Sequence, residues 1–395
     1  MLIKLGKISK ARSLLKTQNN SPCIKSKQKI YVDLSVISMN DAGTGIQRLV
    51  KSVWQGFQES NYPHLSFIPI YATRKKKYAL SHYPEKNIKW RNYVHLKNGD
   101  TFFGLDWSAN QIIQHKETLF YWKQNGAKLV FIVNDILALR HPEWFTKKNS
   151  KKLEAWLEII AVCADELICV SDVVKKDVEL WLKENSISTE QLPCSSIKLG
   201  GEIQLPTVNH TINKDVIKII YRMPFILKVA TIEPRKGHLI AIQAFEHLWK
   251  KIPTLNYSLI LVGQYGWKSE KVIEYIKSSE FYGKKLFWFD NINDSELIEI
   301  YKAASGVINA SKGEGFGLPL MEAIFFKKPL FVRDLPVFRE VTSNKATYFK
   351  NDDKEYLSSL LIEWIKNIEE NSLDQIPFQS WSMTLKSLLE RLSKK

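Results

Sequence analysis

Lys312-Gly313-Glu314-Gly315-Phe316-Gly317-Leu318-Pro319-Leu320-Met321-Glu322-Ala323 is the stretch on which the reading of this chain turns. Gly313, Gly315 and Gly317 strip side-chain bulk from a turn, so backbone N–H groups can approach an oxygen-rich ligand. Pro319 suits the first helical position, where an N–H has no partner to lose. A helix start favours an anion. Glu314 lies in the loop and Glu322 about one turn into the helix, so both carboxylates can face one pocket and accept hydrogen bonds from sugar hydroxyls, a role that needs no metal.

Glycine-rich strings are weak evidence alone, and two rival readings stand beside this one. A protein-kinase loop would open its domain and be followed by a Val-Ala-Ile-Lys strand and a His-Arg-Asp loop. The remaining sequence has neither. A plain tight turn with solvated glutamates is the other rival. The neighbouring sequence therefore decides.

The chain has 395 residues, enough for two domains with ample cores. Hydrophobic residues make up 45% and charged residues 25%, as in a globular protein, with a high aromatic load. No apolar run reaches the length of a membrane span. Met1 to Lys29 shows no secretory core or cleavage site, so cytoplasmic residence is expected. Cys23, Cys163, Cys169 and Cys194 lack metal or redox spacing and read as buried free thiols.

The net charge is +16, and its placement is uneven. Residues 1–29 carry Lys4, Lys7, Lys10, Arg12, Lys16, Lys25, Lys27 and Lys29 without an acid, and form a basic N-terminal arm. Arg74-Lys75-Lys76-Lys77, Lys147-Lys148, Lys151-Lys152 and Lys175-Lys176 follow. An anionic membrane surface explains such clusters, each cation there contributing about 1 kcal/mol. Nucleic acid is the competitor, but no nucleic-acid motif is present. The arm's apolar residues do not share one helical face, so a solvated tail is the alternative to a lipid-compatible arm.

Strand-like apolar runs alternate with helical patterns, which predicts α/β units with mostly parallel sheets. In the first half the runs are Lys29 to Leu34, Leu65 to Tyr71, Thr101 to Leu105, Lys128 to Val133, Glu166 to Val170 and Ser196 to Leu199. In the second they are Phe225 to Thr231, Tyr257 to Val262, Leu286 to Phe289, Gly306 to Ala310 and Pro329 to Val332. Polar Gly200 to Asp215 reads as a linker. Two doubly wound domains facing a central cleft would place a ligand at the carboxyl ends of strands.

Three further pieces point to that site. In Glu233-Pro234-Arg235-Lys236-Gly237-His238, after an apolar strand, Arg235 and Lys236 stand where they would neutralise charge growing on a departing phosphate. An exposed loop pair is the bland reading. Asn40-Asp41-Ala42-Gly43-Thr44-Gly45-Ile46-Gln47-Arg48 is half a dinucleotide fingerprint, with Arg48 where the third glycine belongs, which disfavours an oxidoreductase. Gly43 and Gly45 would admit a donor phosphate or sugar, or simply make a turn. Asn134 and Asp135 end the strand Lys128 to Val133, where they would bond a sugar hydroxyl, orient an acceptor hydroxyl, or cap the next turn. His141 reads as a turn histidine and Ser171-Asp172 as a helix cap.

The Glu-Pro-Arg-Lys-Gly unit, Asp290-Asn291-Ile292-Asn293-Asp294-Ser295-Glu296-Leu297 leading to Tyr301-Lys302-Ala303-Ala304, and Glu314-x7-Glu322 resemble the C-terminal domain of retaining GT-B glycosyltransferases of family 4. The Asp41 to Arg48 and Asn134 to Glu143 stretches resemble the mannosyltransferase-rich branch that builds O-antigen and capsule chains. The resemblance covers most of residues 30–390. It implies a basic arm at 1–29, an N-terminal acceptor domain at 30–208 completed by a crossing helix at 376–395, and a nucleotide-sugar donor domain at 209–375.

It also implies roles. Lys236, with Arg235, would hold the donor diphosphate, Glu322 the ribose and Glu314 the sugar hydroxyls. Phe316, Gly317 and Leu318 would offer N–H groups, Gly43, Thr44 and Gly45 would complete the phosphate wall, and Asn291 to Leu297 would meet the base. Members often carry an arginine where this chain has Ala230-Thr231, making Arg235 the replacement cation, and many have histidine where Asn134 stands. Transferases that need a divalent ion carry Asp-x-Asp, which is absent here, so no metal and no cofactor is expected beyond the nucleotide-sugar co-substrate. No carboxylate occupies an obvious nucleophile's position, and same-face transfer assisted by the leaving phosphate is favoured over covalent catalysis.

The expected activity is transfer of a hexose, mannose from GDP-mannose first and a UDP-sugar second, onto a lipid-linked or growing glycan at the inner membrane surface, beside other polysaccharide-assembly enzymes. A non-catalytic glycan-binding partner of the same fold is the alternative. Tyr71 to Trp107, rich in Lys, Tyr and Trp, is the expected acceptor region, with core packing as the plainer role for its aromatics.

Overall fold

The runs at Thr101–Gly104, Lys128–Val133, Glu166–Cys169, Phe225–Val229, Ser258–Val262, Gly306–Asn309 and Leu330–Arg333 become strands buried along nearly their whole length, as a parallel sheet covered by helices on both faces demands, whereas Leu65–Tyr71 and Leu286–Phe289 are only partly buried. The structure is a computed structural model and describes residues 8–15, 27–41, 43–60, 62–84, 92–203, 212–368 and 376–393. Residues 1–7 and 16–26 of the basic arm, Cys23 among them, residues 204–211 of the linker and residues 85–91 of the acceptor region lie outside the described residues. The chain divides into two compact units, Met1–Leu199 with Trp381–Lys395, and Gly200–Ser380.

The first unit holds β1 (Gln28–Asp33), β2 (Leu65–Tyr71), β3 (Ala79–Leu80), β4 (Thr101–Gly104), β5 (Lys128–Val133), β6 (Glu166–Cys169) and β7 (Cys194–Ser196). They lie in the order β3-β2-β1-β4-β5-β6-β7. Only β2 and β3 pair antiparallel. Two differences from the sequence reading stand out. The last strand lies at Cys194–Ser196 rather than at Ser196 to Leu199, because Leu167 to Cys169 pair with Cys194 to Ser196 and only Ile197 follows on, through its N–H to the Cys169 carbonyl. β3 is two residues long and has no apolar periodicity to announce it.

The C-terminal helix Trp381–Leu392 belongs to this unit and packs on the helix Gly45–Glu59. Thr384 Oγ1 donates to the Lys198 carbonyl at 2.8 Å, and Arg391 donates to the Ser196 carbonyl at 3.0 Å. Residues 8–15 are no solvated tail. The helix Ile8–Leu14 packs on the helix Lys147–Cys163, with Ile8 and Leu15 buried and Arg12 donating to the Ala161 carbonyl at 2.9 Å.

The second unit holds β8 (Phe225–Val229), β9 (Ser258–Val262), β10 (Leu286–Phe289), β11 (Gly306–Asn309), β12 (Leu330–Arg333) and β13 (Thr347–Phe349), in the order β10-β9-β8-β11-β12-β13. All neighbours are parallel. The chain steps outward from β8 to β10 and returns to the other side at β11, so the β8–β11 junction is the switch point where doubly wound folds bind ligands. The end of the expected linker is helical, Lys214–Ile220, capped by Asn213.

At the corresponding β1–β4 junction of the first unit, carboxylates are buried. Asp33 Oδ2 accepts from Ser108 Oγ at 2.5 Å and Tyr78 at 3.3 Å, and Asp106 Oδ2 accepts from the Val36 and Ile37 N–H groups at 2.7 and 2.8 Å. Burial pushes the Asp106 carboxyl up to about 7, against the pull of the Ile37 N–H and with added push from Asp33. A group whose folded value is raised contributes stability below its unfolded value that is lost as the pH rises through the folded one. Asp106→Asn removes that titration while keeping an acceptor for both N–H groups. Its denaturation midpoint, relative to the unmodified protein, is expected to improve from pH 5 to pH 8; a pH-independent difference would refute the assignment.

Candidate functional site

The residues singled out in the second unit converge because the switch point brings two loop starts side by side. From β8 the chain runs to the turn Pro234–Lys236. From β11 it runs through Ser311 into the glycine stretch and then the helix Leu318–Phe325. The Lys312 N–H donates to the Arg235 carbonyl at 2.7 Å, which ties the two loops together. Gly237 allows this approach: its φ is +66°, and a Cβ there would sit 2.1 Å from the Ala310 carbonyl oxygen.

Charge completes the junction. Lys236 Nζ donates to both oxygens of Glu314, at 2.7 and 2.8 Å, while Arg235 donates to the Gly313 carbonyl at 2.8 Å and to Glu314 Oε2 at 3.2 Å. Arg235 Nε also lies 3.3 Å from Glu233 Oε2, and its guanidinium lies over Trp267. The Arg235, Lys236 and Glu314 side chains are only 10%, 14% and 12% exposed. Burial alone would raise the Glu314 carboxyl, but Lys236 and Arg235 outweigh it and hold it down to about 2. Glu233 is pushed the other way, by burial first. The sequence reading gave Glu314 to a sugar and the cations to a diphosphate; the structure shows them bound to one another.

The helix beyond begins at Leu318, not Pro319, because Gly317 takes the left-handed cap position at φ +99° and Pro319 falls second. Glu322 is buried and accepts from the Tyr301 hydroxyl at 2.7 Å. Phe316 and Leu318 bury their side chains. Asn291 is exposed, whereas Leu297 is 3% exposed and its N–H is bonded to the Asn293 carbonyl, so it presents neither side chain nor N–H to a ligand. Glu296, not singled out for a site, joins Asn293 in a capping box and accepts from the Asn213 N–H at 2.9 Å.

In the first unit the singled-out residues are occupied locally. Thr44 and Gln47 form a capping box for the helix Gly45–Glu59, and the Gly43 N–H donates to Asp41 Oδ1 at 3.1 Å. The N–H groups of Gly43 and Thr44 are thus spent on Asp41 and Gln47. Asp135 Oδ1 accepts from the Leu137 N–H at 3.0 Å, a local turn bond just before the short helix Leu137–Arg140, beside a half-buried Asn134. His141 stacks on Trp144 and Ser171 caps the helix Asp172–Glu184.

A carboxylate whose folded value is depressed contributes stability above its unfolded value and loses it as the pH falls through the folded one. Glu314→Gln takes the carboxylate away from Lys236 and leaves Arg235 to Glu233, at a cost of about 3 kcal/mol. Chemical denaturation is expected to show that deficit undiminished from pH 7 to pH 5 and shrinking below about pH 4.5 toward pH 2. A deficit that does not change with acidity would contradict the ion cluster.

The family described as Glycosyl transferases group 1 matches residues 211–375, which include both loops of the site. The chain is 32% identical over 380 residues to the serotype-specific mannosyltransferase WbdA of Escherichia coli, an alignment spanning 92% of this chain and 45% of WbdA. The chain therefore spans about half the length of that relative. It is also 32% identical over 124 residues to the O-antigen chain mannosyltransferase RfbU of Salmonella typhimurium, covering 31% of this chain and 33% of RfbU. A crystal structure of HepE from Anabaena in complex with UDP and glucose matches with a TM-score of 0.64 at 14% identity, over 93% of this chain and 100% of that one. At that identity the likeness is one of fold, the GT-B class of doubly wound α/β sheets. Residues 211–375 thus form a glycosyl transferases group 1 domain, in a chain that is similar to WbdA along most of its own length.

Proposed function

We propose that the chain is a retaining, metal-independent hexosyltransferase that moves mannose from GDP-mannose onto a growing or lipid-linked surface polysaccharide. The observation that carries this reading is the convergence of Arg235 and Lys236 on Glu314 at the start of the helix Leu318–Phe325. A donor diphosphate entering beside that turn exchanges places with Glu314 as the partner of both cations. The cations then face the charge that grows as the glycosidic bond breaks, when their stabilisation is largest. Glu314, released from its pair, accepts from sugar hydroxyls, and Glu322 binds the ribose. The leaving phosphate takes the acceptor proton on the face it departs from, and the configuration is retained. The names of WbdA and RfbU support mannose and an O-antigen acceptor.

The test is transfer by the full chain from GDP-mannose, with UDP-glucose as the second arm, to a lipid-linked oligosaccharide in the presence of EDTA. Product with the donor's anomeric configuration is expected, and Lys236→Ala is expected to lower kcat/KM by about a hundredfold or more. Transfer that requires a divalent ion, or that is indifferent to Lys236, would overturn the reading.

We further propose that the first unit rests on an anionic membrane surface. Lys152 is held below its ordinary value by burial and then by Lys148 and Arg74, so Arg74 lies near the lysines at the start of the helix Lys147–Cys163. Lysines at the start of the helix Lys147–Cys163 oppose the helix dipole, and helix stability does not account for them. Among the described residues no helix is long and apolar enough to cross a membrane. Sedimentation with phosphatidylglycerol vesicles is expected to fall steeply with salt and to weaken in Lys148→Glu/Lys152→Glu. Equal sedimentation with neutral phosphatidylcholine vesicles would sink the proposal.

A further inference from the structure

Lys228 is the penultimate residue of β8, between Leu227 and Val229 and in register with Leu261 of β9, where a hydrophobic side chain would serve packing better. It is 1% exposed, and burying an amine costs free energy unless it is hydrogen-bonded. Its Nζ donates to the Lys236 carbonyl at 2.7 Å. It thus grips, from within the sheet, the residue whose own Nζ holds both oxygens of Glu314. The charged and titratable groups around it are Lys236 on the turn, Glu314 on the loop after β11, Arg333 on β12 and His238 at the start of the following helix. Arg333 is matched by Asp352. His238 is fully buried and held well below its ordinary value, by burial first and then by Lys228.

We propose that Lys228 is a positioning residue of the donor site: it clamps the Lys236 turn through its carbonyl and supplies a buried positive charge behind the diphosphate. The proposal rests on the donor reading above. The structure supplies the reason for a second, chemical effect. Burial, then Lys236, lowers the Lys228 amine to about 7, with Glu314 opposing. Near neutral pH the empty site therefore holds this amine partly deprotonated, and it still donates a hydrogen bond to the Lys236 carbonyl. An arriving diphosphate favours the charged form, and the amine takes a proton from the solvent.

The experiment is titration calorimetry of the full chain with GDP and, separately, UDP at pH 7.5, in buffers of different ionisation enthalpy. Wild-type protein is expected to take up a substantial fraction of one proton on binding. Lys228→Met is expected to lose the uptake and to bind about tenfold more weakly. Lys228→Gln, whose amide can still donate to the Lys236 carbonyl, is expected to lose the uptake with a smaller loss of affinity. A merely structural lysine would change thermal stability without changing proton uptake. Wild-type binding without proton uptake, or uptake and affinity unchanged in both variants, would overturn the proposal. If Lys228→Met does not fold, Lys228→Gln and the wild-type measurement decide it. Lys236→Ala separates the two readings: weakened binding there with unaltered Lys228 variants rejects only this inference, whereas unaltered binding in Lys236→Ala rejects the donor site itself.

Discussion

A carboxylate taken out of water must find cations, and in the second unit that requirement organises the rest. Glu314 is buried on a loop with no cation beside it in sequence that reaches it; its partners, Arg235 and Lys236, come from the other side of the β8–β11 junction. Satisfying it draws the turn Pro234–Lys236 against the glycine stretch. The main chains follow, with Lys312 bonded to the Arg235 carbonyl and Gly237 packed against Ala310. Removing one member changes the charge balance felt by the others, so the cluster behaves as a unit rather than as a sum of contacts.

The same arrangement separates what the sequence could disclose from what it could not. β2, β5 and β10 begin and end where their apolar runs do. β3 and β13 escape such reading because two or three residues carry no periodicity. The glycines and glutamates of the site are legible through local rules for turns and helix starts. Their pairing is not, because Lys236 and Glu314 meet only after β9 and β10 have been laid down between them. Lys228 is concealed differently: one cation within an apolar strand reads as a minor irregularity until its carbonyl partner is seen.

The first unit shows the opposite lesson. Its glycine turn looked like a phosphate cradle, yet Thr44 and Gln47 satisfy each other in a capping box and Asp41 takes the Gly43 N–H. Local hydrogen bonding explains these residues without a ligand. Two buried carboxylates of that unit lie elsewhere, at Asp33 and Asp106, where single acids at the ends of apolar strands gave no pattern to notice.

Both sheets taper at their borders. Among the described strands, β3 has 2 residues, β7 and β13 have 3 each, and β10 has 4. An unpaired strand edge is a template for another chain, and its danger grows with its length and flatness. Edges this short offer few free N–H and C=O groups in a row, and a net charge of +16 keeps neighbouring copies apart. The two sheets are thereby poor seeds for aggregation.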